Sequence, residues 1–274
     1  MNATPETSAA LPQPVSRVMD GWTHQVAGYH AAAARPDGFM LAMGMGSGKS
    51  KVAIDVLANS GHEKTLILCP KSVVGVWRRE FERHWPRHEV DGQIYLLDRH
   101  TCKQKAEQLA AFLQGDAGVA KVVVANYDAA WRAPLGDAIL RAGFSCVVAD
   151  ESHRIKAPGG KASRFAERLG RIVRRRLALT GTPMPHSPLD LYGQFRFLAP
   201  AVFGTSFARF RAKYAITNPQ FPSQVRAWIN QIDLQERFHS RAFVCRSEDV
   251  LDLPGELDVI RHCALEPQSR RVYE

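Results

Sequence analysis

The chain has 274 residues, 45% of them hydrophobic, and carries a formal net charge of +9 with a pI of about 9.5. That composition supplies a sizeable core for one large domain or two small ones, and its basic excess suits an anionic partner. Five scattered cysteines without a Cys-x-x-Cys pair argue against a zinc site and fit a reducing compartment, while no apolar run reaches the ~18–20 residues of a membrane span and the N-terminus lacks a signal pattern.

In chain order, residues 1–17 hold three prolines among small polar residues and are expected to be a disordered tail. The apolar run Phe39–Met43 then predicts a buried strand. It leads into Met43-Gly44-Met45-Gly46-Ser47-Gly48-Lys49-Ser50, a variant P-loop with Met43 where the strict pattern wants glycine. Its three glycines let backbone N–H groups approach a polyphosphate. Lys49 offers a mobile cation for the phosphates and Ser50 a hydroxyl for Mg²⁺. Val52, Ala53, Val56 and Leu57 recur at helical spacing, which places a helix N-terminus and its positive dipole end at the loop.

Further apolar runs at Thr65–Cys69, Lys121–Ala125, Cys146–Ala149 and Leu177–Leu179 predict strands buried on both faces. Cys69 and Cys146 fall in such runs as core residues. Helical patterns lie between the runs at Val76–His84, Lys103–Leu113, Pro134–Ala142 and Lys161–Leu169. His84 and His88, flanked by Arg83 and Arg87, are expected at the surface rather than on a metal. Strand and helix in alternation imply an α/β fold with a predominantly parallel sheet covered on both faces, and ligands at the carboxyl ends of its strands.

Two of those ends carry chemistry. Cys146–Ala149 runs into Asp150-Glu151-Ser152-His153, which suits Asp150 to organise Mg²⁺ and Glu151 to act on an attacking water. Leu177–Leu179 runs into Thr180-Gly181-Thr182-Pro183, two hydroxyls around a glycine that can bridge the metal site to a moving part. Between Arg154 and Arg176 stand nine Lys or Arg and one acid, Glu167, nearly the whole charge excess. On Lys161–Leu169 the residues Ala162, Phe165, Ala166 and Leu169 share one face, with Lys161, Arg164, Arg168 and Arg171 near the other. Such a stripe is either a solvated face or a phosphate-facing one.

From Leu189 to Phe243 aromatics and prolines become frequent, which predicts a helical insertion packed on the sheet at about 187–240. Arg241–Arg246 follows as a strand, then a Pro254-Gly255 turn, an extended run at Leu257–Leu265 and a new helix near Pro267.

In combination these segments resemble the superfamily-two helicase-type motors, and among them the Swi/Snf group of double-stranded DNA translocases. Thr23-His24-Gln25 resembles that family's adenine-reading glutamine motif and Met45–Ser50 its first motif. Leu66–Trp77 and Val124–Asp128 resemble its DNA-side motifs. Val147–Lys156 resembles its second motif, with the Arg154-Ile155-Lys156 extension of this group, and Leu177–Pro183 its third. The likeness runs from about residue 18 to Glu274. There are departures: the family usually has Asp-Glu at Met43-Gly44, Thr at Ser50 and Leu-Gln-Asn at Met184-Pro185-His186.

The resemblance implies a first RecA-like ATPase lobe over 18–246, with 247–274 a linker and the start of a second lobe. It implies ATP and Mg²⁺ as cofactors. His24, Gln25 and the Met45–Ser50 loop (Met45, Gly46, Ser47, Gly48, Lys49, Ser50) would hold nucleotide, Ser50 and Asp150 the metal. Lys49, Asp150 and Glu151 would serve hydrolysis, and His153, Thr180, Gly181 and Thr182 would couple it to movement. DNA, most simply a duplex held by its backbone, would meet Lys71, Ser72, Asn126, Tyr127, Arg154, Lys156, Lys161 and Arg164. A second RecA-like lobe, in cis or in trans, would bring arginines that complete the site. The chain ends before them, so it is expected to bind ATP but hydrolyse it slowly alone, since a missing arginine finger costs on the order of 10³–10⁵ in rate. The expected compartment is intracellular, cytoplasmic or, in a eukaryote, nuclear. Two other readings stand beside this one: a strand-separating helicase or restriction-type motor subunit, and a non-hydrolysing nucleotide-dependent DNA-binding module.

Overall fold

The computed structural model of the protein describes residues 21–61, 64–86, 92–115, 118–221, 223–251 and 270. The first half runs α1 (Thr23–Ala33), β1 (Phe39–Met43), α2 (Lys49–Ala58), β2 (Lys64–Cys69), α3 (Val74–His84), β3 (Gly92–Leu97), α4 (Cys102–Gln114) and β4 (Ala120–Asn126). Then come α5 (Tyr127–Ala130), α6 (Leu135–Arg141), β5 (Cys146–Asp150), α7 (Lys161–Ile172) and β6 (Arg175–Thr180). The remainder is α8 (Asp190–Leu198), α9 (Pro200–Phe203), α10 (Phe207–Tyr214), β7 (Ala215–Thr217), β8 (Val225–Trp228), α11 (Gln231–His239), β9 (Ala242–Cys245) and α12 (Ser247–Val250).

Seven strands form one sheet in the order β3-β4-β2-β5-β6-β1-β9, and every neighbouring pair is parallel. Parallel neighbours cannot be joined by a tight turn, so each connection crosses a face of the sheet and covers it with helix. Successive strand residues point to opposite faces, and the core divides accordingly. Met40, Ala42, Leu66, Leu68, Val147, Ala149 and Ala178 pack on one side with Phe165, Leu169, Phe195 and Phe197 of α7 and α8. Phe39, Leu41, Met43, Ile67, Cys69, Val148, Leu177 and Leu179 pack on the other with Val52, Ile54 and Val56 of α2 and Trp77 and Phe81 of α3. This parallel sheet with helices on both faces is the architecture the apolar runs imply.

Three features depart from the sequence reading. β3 is an additional edge strand: Gly-Gln-Ile-Tyr-Leu-Leu is mostly half-buried and lacks the continuous apolar signature of its neighbours. The insertion is not purely helical, because β7 and β8 pair antiparallel as a two-stranded sheet. Its aromatics are core as expected, with Phe203 against Phe195 at 4.8 Å and Phe210 against Tyr214 at 5.0 Å between ring centroids. His84 is buried rather than at the surface, and burial pulls its pKa down to about 4. Its expected companion His88 lies outside the described residues, as do the tail at 1–17, the Pro254-Gly255 turn, the run Leu257–Leu265 and the start of a helix near Pro267.

The basic run also divides. Arg175 is buried at the start of β6 and donates to Ala32 O at 2.8 Å, while Arg176 donates to Gly170 O at 2.6 Å and to Asp37 O. These two arginines tie the sheet to α1, α7 and the turn at Asp37. Lys161, Arg164, Arg168 and Arg171 stay exposed on α7, with Phe165, Ala166 and Leu169 buried on its other face.

Candidate functional site

The carboxyl ends of β1, β6 and β5 deliver the loop 44–48, Gly181 and Glu151 to one edge of the sheet. The loop turns through left-handed conformations at Gly46 (φ 78°) and Gly48 (φ 84°), and Gly48 caps the N-terminus of α2. Gly48 is doubly required: a Cβ there would lie 2.2 Å from Gln25 Nε2. The loop is held by its carbonyls. Gln25 Nε2 donates to Ser47 O at 3.1 Å, and His24 Nε2 lies 2.9 Å from the same oxygen. Ser47 Oγ donates to Gly44 O at 2.7 Å. The C=O and N–H of a trans peptide point in opposite directions, so each grip on a carbonyl aims the next amide the other way. Gln25, expected to read an adenine, is thus engaged with the loop through its amide nitrogen, and its Oε1 accepts from Trp22 N–H at 3.2 Å.

Lys49 opens α2, and its Nζ lies 3.9 Å from Glu151 Oε1. This contact joins the first motif to the carboxylate pair. Asp150 is 4% exposed, and burial pushes its carboxyl up to about 6. Trp77 Nε1 donates to Asp150 Oδ2 at 2.9 Å, Glu151 N–H donates to Oδ1 at 3.0 Å, and the Tyr127 hydroxyl donates to the Asp150 carbonyl at 2.8 Å. Glu151 sits at φ 50°, ψ 53°, a left-handed conformation that costs a non-glycine residue about 1–2 kcal/mol. The turn sets Glu151 between Lys49 and His153, whose Nδ1 is 3.3 Å from Glu151 Oε2. Burial lowers the His153 pKa, which keeps the ring neutral near pH 7. The same nitrogen is 3.4 Å from Thr180 Oγ1, and Thr180 Oγ1 accepts from Thr182 N–H at 3.1 Å. Gly181 lies beside Met43–Met45, where a Cβ would meet Met43 O at 3.5 Å. One connected set therefore brings together Lys49, Asp150, Glu151, His153, Thr180, Gly181 and Thr182.

The donor set fits a nucleotide and Mg²⁺. Glycine-permitted amides at a helix N-terminus suit phosphates. Ser50 in the first turn of α2 and the Asp150 carboxylate are hard oxygen donors. Among the described residues no cluster of three or more His, Cys, Asp or Glu could cage a metal. Mg²⁺ keeps much of its water and needs only one or two protein oxygens beside the phosphates.

Two residues with structural leverage escaped the sequence reading. Trp77 was only part of a motif, yet it holds Asp150. Gln194 on α8 is fully buried, accepts from Ser152 Oγ at 2.8 Å and donates to Pro183 O at 2.7 Å and Asp190 O at 2.9 Å. It ties the turn after Asp150-Glu151 to the turn after Thr180. Asp190 also accepts from His186 N–H at 2.8 Å, anchoring the altered segment Met184-Pro185-His186.

A cleft of about 660 Å³ lies beyond Asp150 and gathers Lys71, Ser72, Tyr127 and Arg154 with Pro70, Asp128 and Ala162. Four residues predicted with them do not line it. Asn126 is buried, and its side-chain oxygen caps α5 by accepting from Ala129 N–H at 2.9 Å. Lys156 Nζ lies 3.9 Å from Asp190. Lys161 Nζ sits 4.7 Å over the Trp131 ring, and Arg164 is exposed on α7. Among the described residues no helix is long and apolar enough to cross a membrane.

The family model for the SNF2-related domain matches residues 21–274. The TATA-binding protein-associated factor MOT1 of Saccharomyces cerevisiae is 28% identical over 253 residues, covering 84% of this chain and 13% of that protein. Helicase ssl-1 of Caenorhabditis elegans is 27% identical over 245 residues, covering 86% of this chain and 10% of that protein. The chain thus spans a small part of these relatives. Its fold is that of the Sulfolobus solfataricus SWI2/SNF2 ATPase core solved in complex with dsDNA, with a TM-score of 0.69 at 21% identity over 97% of this chain and 53% of that one.

Proposed function

The chain belongs to the SNF2-related domain family, and from that premise we propose that it is the ATP-binding lobe of a duplex-DNA-dependent ATPase that translocates along DNA. The observation that carries the reading is the Lys49–Glu151 contact, which closes the P-loop onto a carboxylate pair held by Trp77 and Tyr127. In this reading the loop amides and Lys49 hold the phosphates, with His24 and Gln25 on the adenine side. Ser50 and Asp150 would hold Mg²⁺, which would supply positive charge against that of the phosphates. Glu151 orients the attacking water, and neutral His153 with Thr180 and Thr182 passes the state of that site to the turn 181–187.

Lys71, Ser72, Tyr127 and Arg154 line a cleft one hydrogen bond from Asp150, which suits contact with a DNA backbone. A second RecA-like lobe, in cis or in trans, completes the site; the solved SWI2/SNF2 core is about twice the length matched here. Work on DNA keeps the protein inside the cell. The test is ATP turnover by the chain together with its second lobe as duplex DNA is added. Stimulation by duplex, abolished in Lys49→Ala, is expected. Turnover indifferent to DNA refutes the DNA-dependent reading, and binding without turnover identifies a non-hydrolysing module. Duplex stimulation accompanied by strand displacement identifies a helicase instead.

A further inference from the structure

The chain leaves the sheet across the phosphate loop. β9 lies beside β1 and parallel to it, so both strands deliver their next residues to the same edge. Gly44 N–H donates to Cys245 O at 2.8 Å, after which the chain turns over the loop. Ser247 Oγ donates to Met45 O at 2.7 Å. A Cβ on Gly44 would lie 2.2 Å from Ser247 Oγ and 2.7 Å from Ser247 N, and one on Gly46 would lie 3.2 Å from Leu251 Cδ1. Three consecutive loop residues therefore meet one segment, 247–251. Gly44, where the sequence resemblance would place an acid, leaves no room for a side chain beside Ser247.

The Met45 carbonyl and the Gly46 amide share one planar peptide and point in opposite directions. Holding the carbonyl outward aims the Gly46 N–H inward, toward where a phosphate would sit. Gln25 does the same for the next-but-one peptide through Ser47 O. We infer that Ser247 is a positioning residue of the nucleotide site: through the Met45 carbonyl it sets the Gly46 amide, and it links occupancy of the loop to the segment by which the chain leaves the sheet. The link is reciprocal, because whatever orders the loop must order the segment.

This inference rests on the nucleotide reading above, and the experiment separates the two. Mg·ADP and adenosine are titrated into wild type, Ser247→Ala, Ser247→Thr and Lys49→Ala, and hydrogen exchange of 247–251 is followed with and without Mg·ADP. Ser247→Ala is expected to bind Mg·ADP about 2- to 10-fold more weakly, the worth of one hydrogen bond. Its adenosine affinity stays unchanged, and Ser247→Thr, which keeps the hydroxyl, binds as wild type. Mg·ADP slows exchange of 247–251 in wild type and not in Ser247→Ala. The inference is overturned by Mg·ADP affinity equal to wild type in Ser247→Ala, by a parallel loss for adenosine, by a threonine variant as weak as the alanine one, or by exchange that ignores Mg·ADP. If Lys49→Ala binds Mg·ADP like wild type, the nucleotide reading itself fails; if Lys49→Ala is weakened and Ser247→Ala is not, only the role of Ser247 falls.

Discussion

Trp77 shows how one buried donor shapes the site. Its indole is 2% exposed and donates to a carboxylate that is itself nearly buried. A hydrogen bond to a charged group contributes about 1.5–3 kcal/mol, and the carboxylate left behind, 4% exposed, has little water to replace the lost donor. Trp77→Phe keeps the ring and removes the donor. Turnover by the two-lobed protein is expected to fall roughly tenfold or more, with the far-ultraviolet circular dichroism and a cooperative unfolding transition retained; wild-type turnover would show that the indole N–H is dispensable.

His84 belongs to the same scale. Its folded pKa of about 4 lies below the ordinary 6.5 because burial disfavours the cation, and Lys51 and Arg83 add to that; the nearest acid is Glu80, 3.9 Å away. A depressed histidine contributes stability that is fully present above pH 6.5 and is lost as pH falls through that value toward 4. The acid limb of the stability curve between those values should therefore be shallower in His84→Gln than in wild type, as read from urea unfolding at stepped pH. Parallel limbs would contradict the buried, neutral ring.

At the scale of elements, α8 acts as a brace. Gln194, fully buried, joins the turn after β5 to the turn after β6 through two hydrogen bonds, from Ser152 Oγ and to Pro183 O. Gln194→Ala leaves the Ser152 hydroxyl and the Pro183 carbonyl without that partner, an expected loss of about 1–3 kcal/mol in chemical unfolding. An unchanged unfolding midpoint would remove α8 from the account of how Glu151 and Thr180 are held together.

What could be read in advance follows the same physics. Strands β1, β2, β4, β5 and β6 are buried on both faces, so they spell themselves out as apolar runs, and the residues that follow them carry recognisable motifs. β3 is an edge strand with an exposed Gln93, and β7 and β8 have three and four residues with only Ala215 buried, so none shows a clean pattern. Trp77 and Gln194 were illegible for a different reason. Trp77 meets Asp150 73 positions away and Gln194 meets Ser152 42 positions away, and no local spacing encodes such contacts. The motif residues were legible because chemistry fixes their type; the residues that hold them in place were not.

Over the whole molecule, charge is sorted rather than spread. Arg175 and Arg176 are spent on structure, while Lys71 and Arg154 face the cleft and the α7 arginines stay at the surface. If backbone phosphates occupy the cleft, duplex affinity falls with salt by a log–log slope of about −0.9 per phosphate neutralised. Arg154→Ala should lower the magnitude of that slope by about one unit and weaken all sequences alike. Affinity that ignores salt between about 50 and 200 mM would place DNA elsewhere.

The functional reading depends on the loop at 44–50 being a phosphate site that acts together with Asp150 and Glu151. A calorimetric titration of Mg·ATP into the protein and its Lys49→Ala variant tests that most directly. Saturable one-to-one binding by the wild type is expected, weakened about 10- to 100-fold in the variant, the worth of one charge-assisted contact. Absence of binding by the folded wild type, or equal affinity in both, would contradict it.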